Sequence, residues 1–251
     1  MNRQFFQLAS TGFSVVSTIA AFQLAQLPAY AVDFVNQRDA LGENDRIDWE
    51  SLGSANPFKQ LPNSFSAKSE KNRSLSVSIP SFFGSPQPLV FTTQPTSSIE
   101  TNFPTGQSIL FTGFSNVPFP PATNTALLSV KFDQPVKAAG TQLALETTQK
   151  PDDALTGRGL PQGIVSAFDS ENNLLGTFST TVLDNSPVFL GISSDTANIS
   201  RLVLRTSEAN VPFGINALSF VTIPEPNSTF ALLAIALGGG LIFKQKQKRK
   251  F

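Results

Sequence analysis

The chain has 251 residues, 40% of them hydrophobic, with eighteen acidic and eighteen basic side chains that cancel formally. That size and balance suit one ordinary domain with appendages. It contains no cysteine and no histidine, which excludes disulfides, thiolate nucleophiles, imidazole bases and the usual zinc ligand sets.

The first segment, 1–31, opens with a single cation at Arg3 and then runs uncharged as far as Asp33. An apolar run around Phe13, Val15, Val16, Ile19 and Phe22 is followed by "LPAYA", whose small residues Ala29 and Ala31 are spaced as a signal-peptidase site. The expectation is a secretory signal peptide cut after Ala31. Signal peptidase is the partner it requires, and the rest of the chain is then exported. Segment 32–72 follows as a partly flexible N-terminal lead-in, with "DWESLG" at 48–53 as its ordered patch.

From 73 to 222 the hydrophobic period is two. "SLSVSI" sets Leu75, Val77 and Ile79 against serines; "LLSVKF" does the same with Leu128, Val130 and Phe132, and "LLGTFSTTV" with Leu174, Phe178 and Val182. Further strands are expected at "TQLALE" around Leu143 and Leu145, at 163–168, 188–192 and 199–205, and at "FGINALSFV", 213–221. In the last of these the apolar phase slips near Ala217, which predicts a β-bulge. "DSENN" before Leu174 reads as a hairpin turn in which Asp169 and Asn172 bond their own backbone. The stretch 80–126 holds eight prolines and seven phenylalanines. It reads as long loops and short edge strands pinned by Phe82, Phe83, Phe91 and Phe111. About nine short strands without a confident helix give an all-β fold, an antiparallel β-sandwich.

Within that sandwich no residue set stands out as catalytic. A carboxylate pair suffices for glycoside hydrolysis, but Asp48, Glu50, Asp133, Asp169 and Asp195 each have a plainer place at a turn, a cap or a strand end. No cofactor is expected. A structural calcium ion is the one metal that the oxygen-rich loops "DSENN" and "SSDTAN" would suit, without an assigned ligand set. Sugar platforms use flat aromatic faces, typically Trp and Tyr, and beyond residue 31 only Trp49 remains. A glycan is therefore expected to meet Asn, Asp and Arg in a polar groove.

The last segment, 223–251, begins with Pro224, Glu225 and Pro226 in an extended stretch that neither helix nor sheet runs through easily. Residues 228–243 are uncharged, about 24 Å as a helix, which makes a thin transmembrane helix. The tail 244–251 carries Lys244, Lys246, Lys248, Arg249 and Lys250, a basic cluster that stays cytoplasmic by the positive-inside rule. These three features, in this order, resemble the PEP-CTERM sorting signal of exported bacterial proteins. The resemblance implies processing at or near Pro-Glu-Pro by an exosortase, an inner-membrane intermediate, and final placement at the cell surface or in the extracellular matrix.

"DWESLG", "SVKFDQPVKAAGTQL" at 129–143, "AFDSENNLLGTF" at 167–178, "VFLGISSDTANISRLVL" at 188–204 and "FGINALSFV" also resemble a recurring ectodomain of such proteins. That likeness implies a jelly-roll-like sandwich exposed outside the cell in polysaccharide-producing bacteria, with no established enzymatic activity or ligand. Without Arg3 and the five tail cations, twelve basic residues face eighteen acidic ones, so the exported part is acidic by about six charges. Nucleic acid is thus not an expected partner.

Overall fold

The computed structural model describes residues 31–53, 59–79, 89–93, 101–112, 127–145, 160–183, 186–207 and 212–223. These form an all-β body of two antiparallel sheets with one short helix and one 3-10 turn. In chain order the elements are β1 (Val32–Val35), α1 (Arg38–Leu41), β2 (Asp45–Ile47), a 3-10 turn (Trp49–Leu52), β3 (Lys59–Leu61), β4 (Ser64–Lys68), β5 (Ser74–Ser78), β6 (Leu89–Thr93) and β7 (Ser108–Phe111). Then come β8 (Leu128–Val136), β9 (Ala138–Leu145), β10 (Gln162–Phe168), β11 (Leu174–Thr181), β12 (Val188–Ser194), β13 (Ile199–Thr206) and β14 (Phe213–Val221). One sheet runs β1-β12-β9-β14-β7-β6-β3, with β2 also on β14; the other runs β11-β10-β13-β8-β5-β4.

Period-two patterning explains the packing. Leu75 and Val77 of β5, Leu128 and Val130 of β8, and Leu202 and Leu204 of β13 point inward from the six-stranded sheet and are almost wholly buried. They meet Leu143, Leu190, Ile192, Ile215, Leu218 and Phe220 from the eight-stranded sheet. Burial of this kind stabilises by roughly 1.5–3 kcal/mol per side chain, which a chain without disulfides depends on. Asp45, buried at the end of β2, ties the two sheets together. Its carboxylate accepts from Ser69 Oγ at 2.7 Å and from the Lys71 amide at 3.1 Å.

The strands expected from alternation are present, and the bulge expected near Ala217 is there. Ile215 faces Leu143 and Leu218 faces Thr141, so two residues of β14 stand against Gln142 alone. Leu174 departs from its expected buried phase and is 58% exposed. A second bulge, at Ala167/Phe168, puts Leu174 opposite Phe168 and shifts its alternation out of step with the inward Phe178, which stacks on Phe34 at 5.4 Å. Segment 32–72 supplies β1, β2, β3 and β4, strands of both sheets. In the proline-rich stretch, β6 and β7 form and Phe111 is fully buried, whereas Phe82 and Phe83 lie outside the described residues. No described helix is long and apolar enough to cross a membrane, and 228–243 lies outside the described residues.

Candidate functional site

The bulge in β14 gathers polar side chains from distant parts of the chain, Trp49 and Thr141 from the core side and Arg38, Gln107 and Gln142 around Asn216. A bulge leaves backbone groups unpaired and re-aims side chains, and here the freed groups are satisfied by residues far away in sequence. Trp49 Nε1 donates to the Asn216 carbonyl at 2.6 Å, and Thr141 Oγ1 donates to the same oxygen at 3.0 Å. Arg38, leaving α1, donates to Asn216 Oδ1 at 3.1 Å, to the Ala217 carbonyl at 3.2 Å and to Ser219 Oγ. Asn216 Nδ2 donates to Gln107 Oε1 at 3.1 Å and to Gln142 Oε1 at 2.5 Å.

Around this network lies a cleft of about 230 Å³ lined by Arg38, Arg46, Asp48, Glu50, Gln107, Ser108, Gln142 and Asn216. Burial lowers the Arg38 guanidinium from its ordinary pKa, while Glu43, 3.7 Å away, acts in the opposite sense. Arg46 is raised by its 2.6 Å hydrogen bond to Glu70. Asp48 is committed as the N-cap of the 3-10 turn, accepting from the Glu50 amide at 3.1 Å. Exposed Glu50 and the amides of Gln107 and Gln142 are then the groups left to meet a solute. They suit the hydroxyls of a neutral polar ligand, offering both donors and acceptors.

The other acids singled out in the sequence are not brought together. Asp133 is exposed inside β8, which runs on to Val136, and not at a strand end as expected, and Asp195 sits in the turn after β12. Asp169 serves its own hairpin, as expected: its carboxylate accepts from the Glu171 amide at 2.9 Å and from the Asn173 amide at 2.8 Å. These bonds, with the Asn173 side chain first, hold its pKa below the usual aspartate value. Asn172 acts differently from expectation. It takes the left-handed conformation at φ 70° and its side-chain oxygen accepts from Arg201. Among the described residues no group of three acidic side chains converges on a metal site. Trp49, the one candidate platform, is wholly buried with its ring in the core.

Ala31 is exposed immediately before β1. Ala29, Pro224, Glu225, Pro226, Lys244, Lys246, Lys248, Arg249 and Lys250 lie outside the described residues. The bulge cleft itself was not read from the sequence. Its one local sign is Asn216, a lone amide inside an otherwise apolar strand.

No family model matches the chain, and no curated protein does. Solved structures align along most of it at low similarity. A DUF4465 family protein from Bacteroides caccae aligns over 77% of this chain and 100% of its own, at 10% identity and a TM-score of 0.37. TmCBM61, solved with β-1,4-galactotriose, aligns over 70% of this chain and 94% of its own, at 9% identity and a TM-score of 0.29. The CBM22-1 xylan-binding domain of Paenibacillus barcinonensis Xyn10C aligns over 72% and 94%, at 11% identity and a TM-score of 0.27. At such scores the fold is read from this chain's own strands and the function from its own residues.

Proposed function

We propose that the chain is an exported, non-enzymatic protein of the cell surface or extracellular matrix. In this reading segment 1–31 directs export, 228–243 holds an inner-membrane intermediate, and an exosortase acts at Pro224-Glu225-Pro226 while the basic tail stays inside. The observation that supports it is where the body begins and ends. Val32 pairs with Ser194, Ser193 pairs with Ala138, and Ala138 pairs with Val221. The first residue of β1 and the last of β14 therefore lie at one end of the eight-stranded sheet, three strand spacings or about 14 Å apart. Two membrane-inserted flanking segments, one at each end of the body, fit that arrangement. The chain between them then stands away from the bilayer. The jelly-roll-like winding is supported by nested pairs: β8 with β13 in one sheet, β9 with β12 in the other.

Replacing Pro224 and Glu225 by alanine tests the sorting step. The variant is expected to accumulate in the membrane fraction at a mass larger than the wild-type product. Wild-type protein found intact through Phe251 in a cell that holds an exosortase would reduce the C-terminus to a plain anchor. The intact mass of the extracellular product also locates the cut expected after Ala31.

A second reading, a lectin-like module that binds extracellular polysaccharide, is favoured by the cleft of Glu50, Gln107 and Gln142. Retention of the protein on the native exopolysaccharide, lost on Glu50→Ala with Gln107→Ala, is the expected result.

A further inference from the structure

The outward face of the six-stranded sheet is unlike the rest of the molecule. Strand register sets its side chains in rows that cross the sheet. Ser64 lies opposite Ser78, Ser78 opposite Ser129, Ser129 opposite Val203, Val203 opposite Ser166, and Ser166 opposite Thr177. The next row runs Ser66, Ser76, Lys131, Arg201 and Phe168. Lys68 and Arg205 stand on the same face, and a shallow depression of about 380 Å³ lies between the serine row and Arg201. Five strand spacings make the first row about 24 Å long, and four make the second about 19 Å.

One feature of this face is costly unless something binds it. Lys131 and Arg201 are directly opposite on antiparallel strands, and like charges in that position destabilise a sheet. Among the described residues no acid forms an ion pair with them. The ion pairs among the described residues, Arg38 with Glu43, Arg46 with Glu70 and Arg73 with Asp45, all lie elsewhere. Asp133, two residues along β8, lines a different depression with Arg73 and Phe220. Arg201 is also held in place. Its guanidinium lies 4.0 Å from the Phe168 ring centre, and one nitrogen donates to Asn172 Oδ1 at 2.5 Å. A guanidinium has five N–H donors in a fixed fork, so several remain to take a carboxylate.

We propose that this face binds an acidic polysaccharide strand, its carboxylates on Lys131, Arg201 and Arg205 and its hydroxyls along the serine rows. Charge complementarity selects an anion, because among the described residues no carboxylate forms an ion pair with these cations, in a body that is acidic overall. The serine rows select a polymer rich in hydroxyls over a nucleic acid, since the face presents no open aromatic ring for bases to stack on among the described residues. The lack of an apolar stripe argues equally against a lipid surface. The proposal rests on the glycan-binding reading, but places an anionic polymer on a face separate from the bulge cleft.

Affinity electrophoresis of the full chain through gels containing polygalacturonate, or its neutral methyl ester, tests it. The expected result is retardation by the acid polymer that salt weakens and the ester does not reproduce. Lys131→Gln with Arg205→Gln should bind about tenfold or more weakly, through loss of two charge-assisted contacts. Lys131→Arg should bind as wild type, as should Lys246→Ala with Lys248→Ala in the tail. Unchanged binding by the double glutamine variant, or a loss that follows the tail variant, overturns the proposal. So does equal or tighter binding to duplex DNA or to anionic vesicles. Retardation by the methyl ester that disappears with Glu50→Ala and Gln107→Ala would also overturn the face, while leaving glycan binding in the cleft.

Discussion

The outward side of the eight-stranded sheet is covered. Leu41 of α1 packs with Val35, Ala138 and Phe189 over one part of it, and Phe103 packs with Ile109, Phe111 and Ala144 over another. The outward side of the six-stranded sheet has no such cover among the described residues, and Ser66, Lys131, Thr177 and Ser179 stand exposed on it. The sequence writes this difference as β9, "AAGTQLAL", buried at every position but one, against β5, "SLSVS", buried at alternate positions. A strand apolar on both sides needs a layer on both sides. A strand with serine on one side leaves that side to water, or to a ligand with water's hydrogen-bonding habits.

The contrast predicts very different responses to substitution. The largest is expected at Trp49, which is wholly buried and bonded to the bulge. Trp49→Ala should cost about 3–5 kcal/mol, from the lost ring volume and an unsatisfied Asn216 carbonyl, read from chemical denaturation. A cost below about 1 kcal/mol would mean that the 3-10 turn is dispensable and the covered side loosely built.

Gly140 sharpens the same point on the covered side. A Cβ there would stand 2.7 Å from the Gly191 Cα and 2.9 Å from the Leu190 carbonyl oxygen, and backbone cannot swing aside. Gly140→Ala should therefore destabilise by about 1–3 kcal/mol, with a lower thermal midpoint. By the contrast drawn, Ser76→Ala on the open face should change stability by less than about 0.5 kcal/mol.

How much of this was legible beforehand follows from how local each signal is. β14 was readable from 213 to 221, bulge included, because its alternation breaks within nine residues. β2 was not, since three residues of mixed polarity become a strand only by pairing with Leu218, Ser219 and Phe220, far along the chain. The cleft was hidden for the same reason. Arg38 and Asn216 meet across 178 positions, and nothing near either residue in the sequence announces the other. Leu174 misled because β11 itself carries an extra residue, Leu175, between the positions opposite Phe168 and Ala167, so alternation counted from Leu174 to Phe178 does not carry through it.

On the open face, stability and binding should move in opposite directions. Lys131→Glu converts the like-charged pair with Arg201 into an opposite-charged one, worth a few tenths to about 1 kcal/mol in favour of the folded state. The same substitution should abolish retention on polygalacturonate. A variant that is both destabilised and retained would show that the face carries neither the strain nor the ligand assigned to it.

The smallest effect is expected at the hairpin that borders this face, and it is a pH effect. Asp169 has its folded-state pKa depressed below 3.8, because its carboxylate accepts from the Asn173 side chain and from the amides of Glu171 and Asn173. A carboxyl group with a depressed folded pKa adds stability above its unfolded pKa, and that contribution disappears as pH falls through the folded value. The turn should therefore keep its amides protected at pH 5 and release those of Glu171 and Asn173 only below the ordinary aspartate range. Asp169→Asn removes the charge but not the shape, so its protection should be weaker at pH 5 and almost independent of pH below it. Amide exchange followed by NMR reads both. Because Asn172 in this turn receives Arg201, loosening it should also free the guanidinium from Phe168, tying this hairpin to the geometry of the open face's central cation.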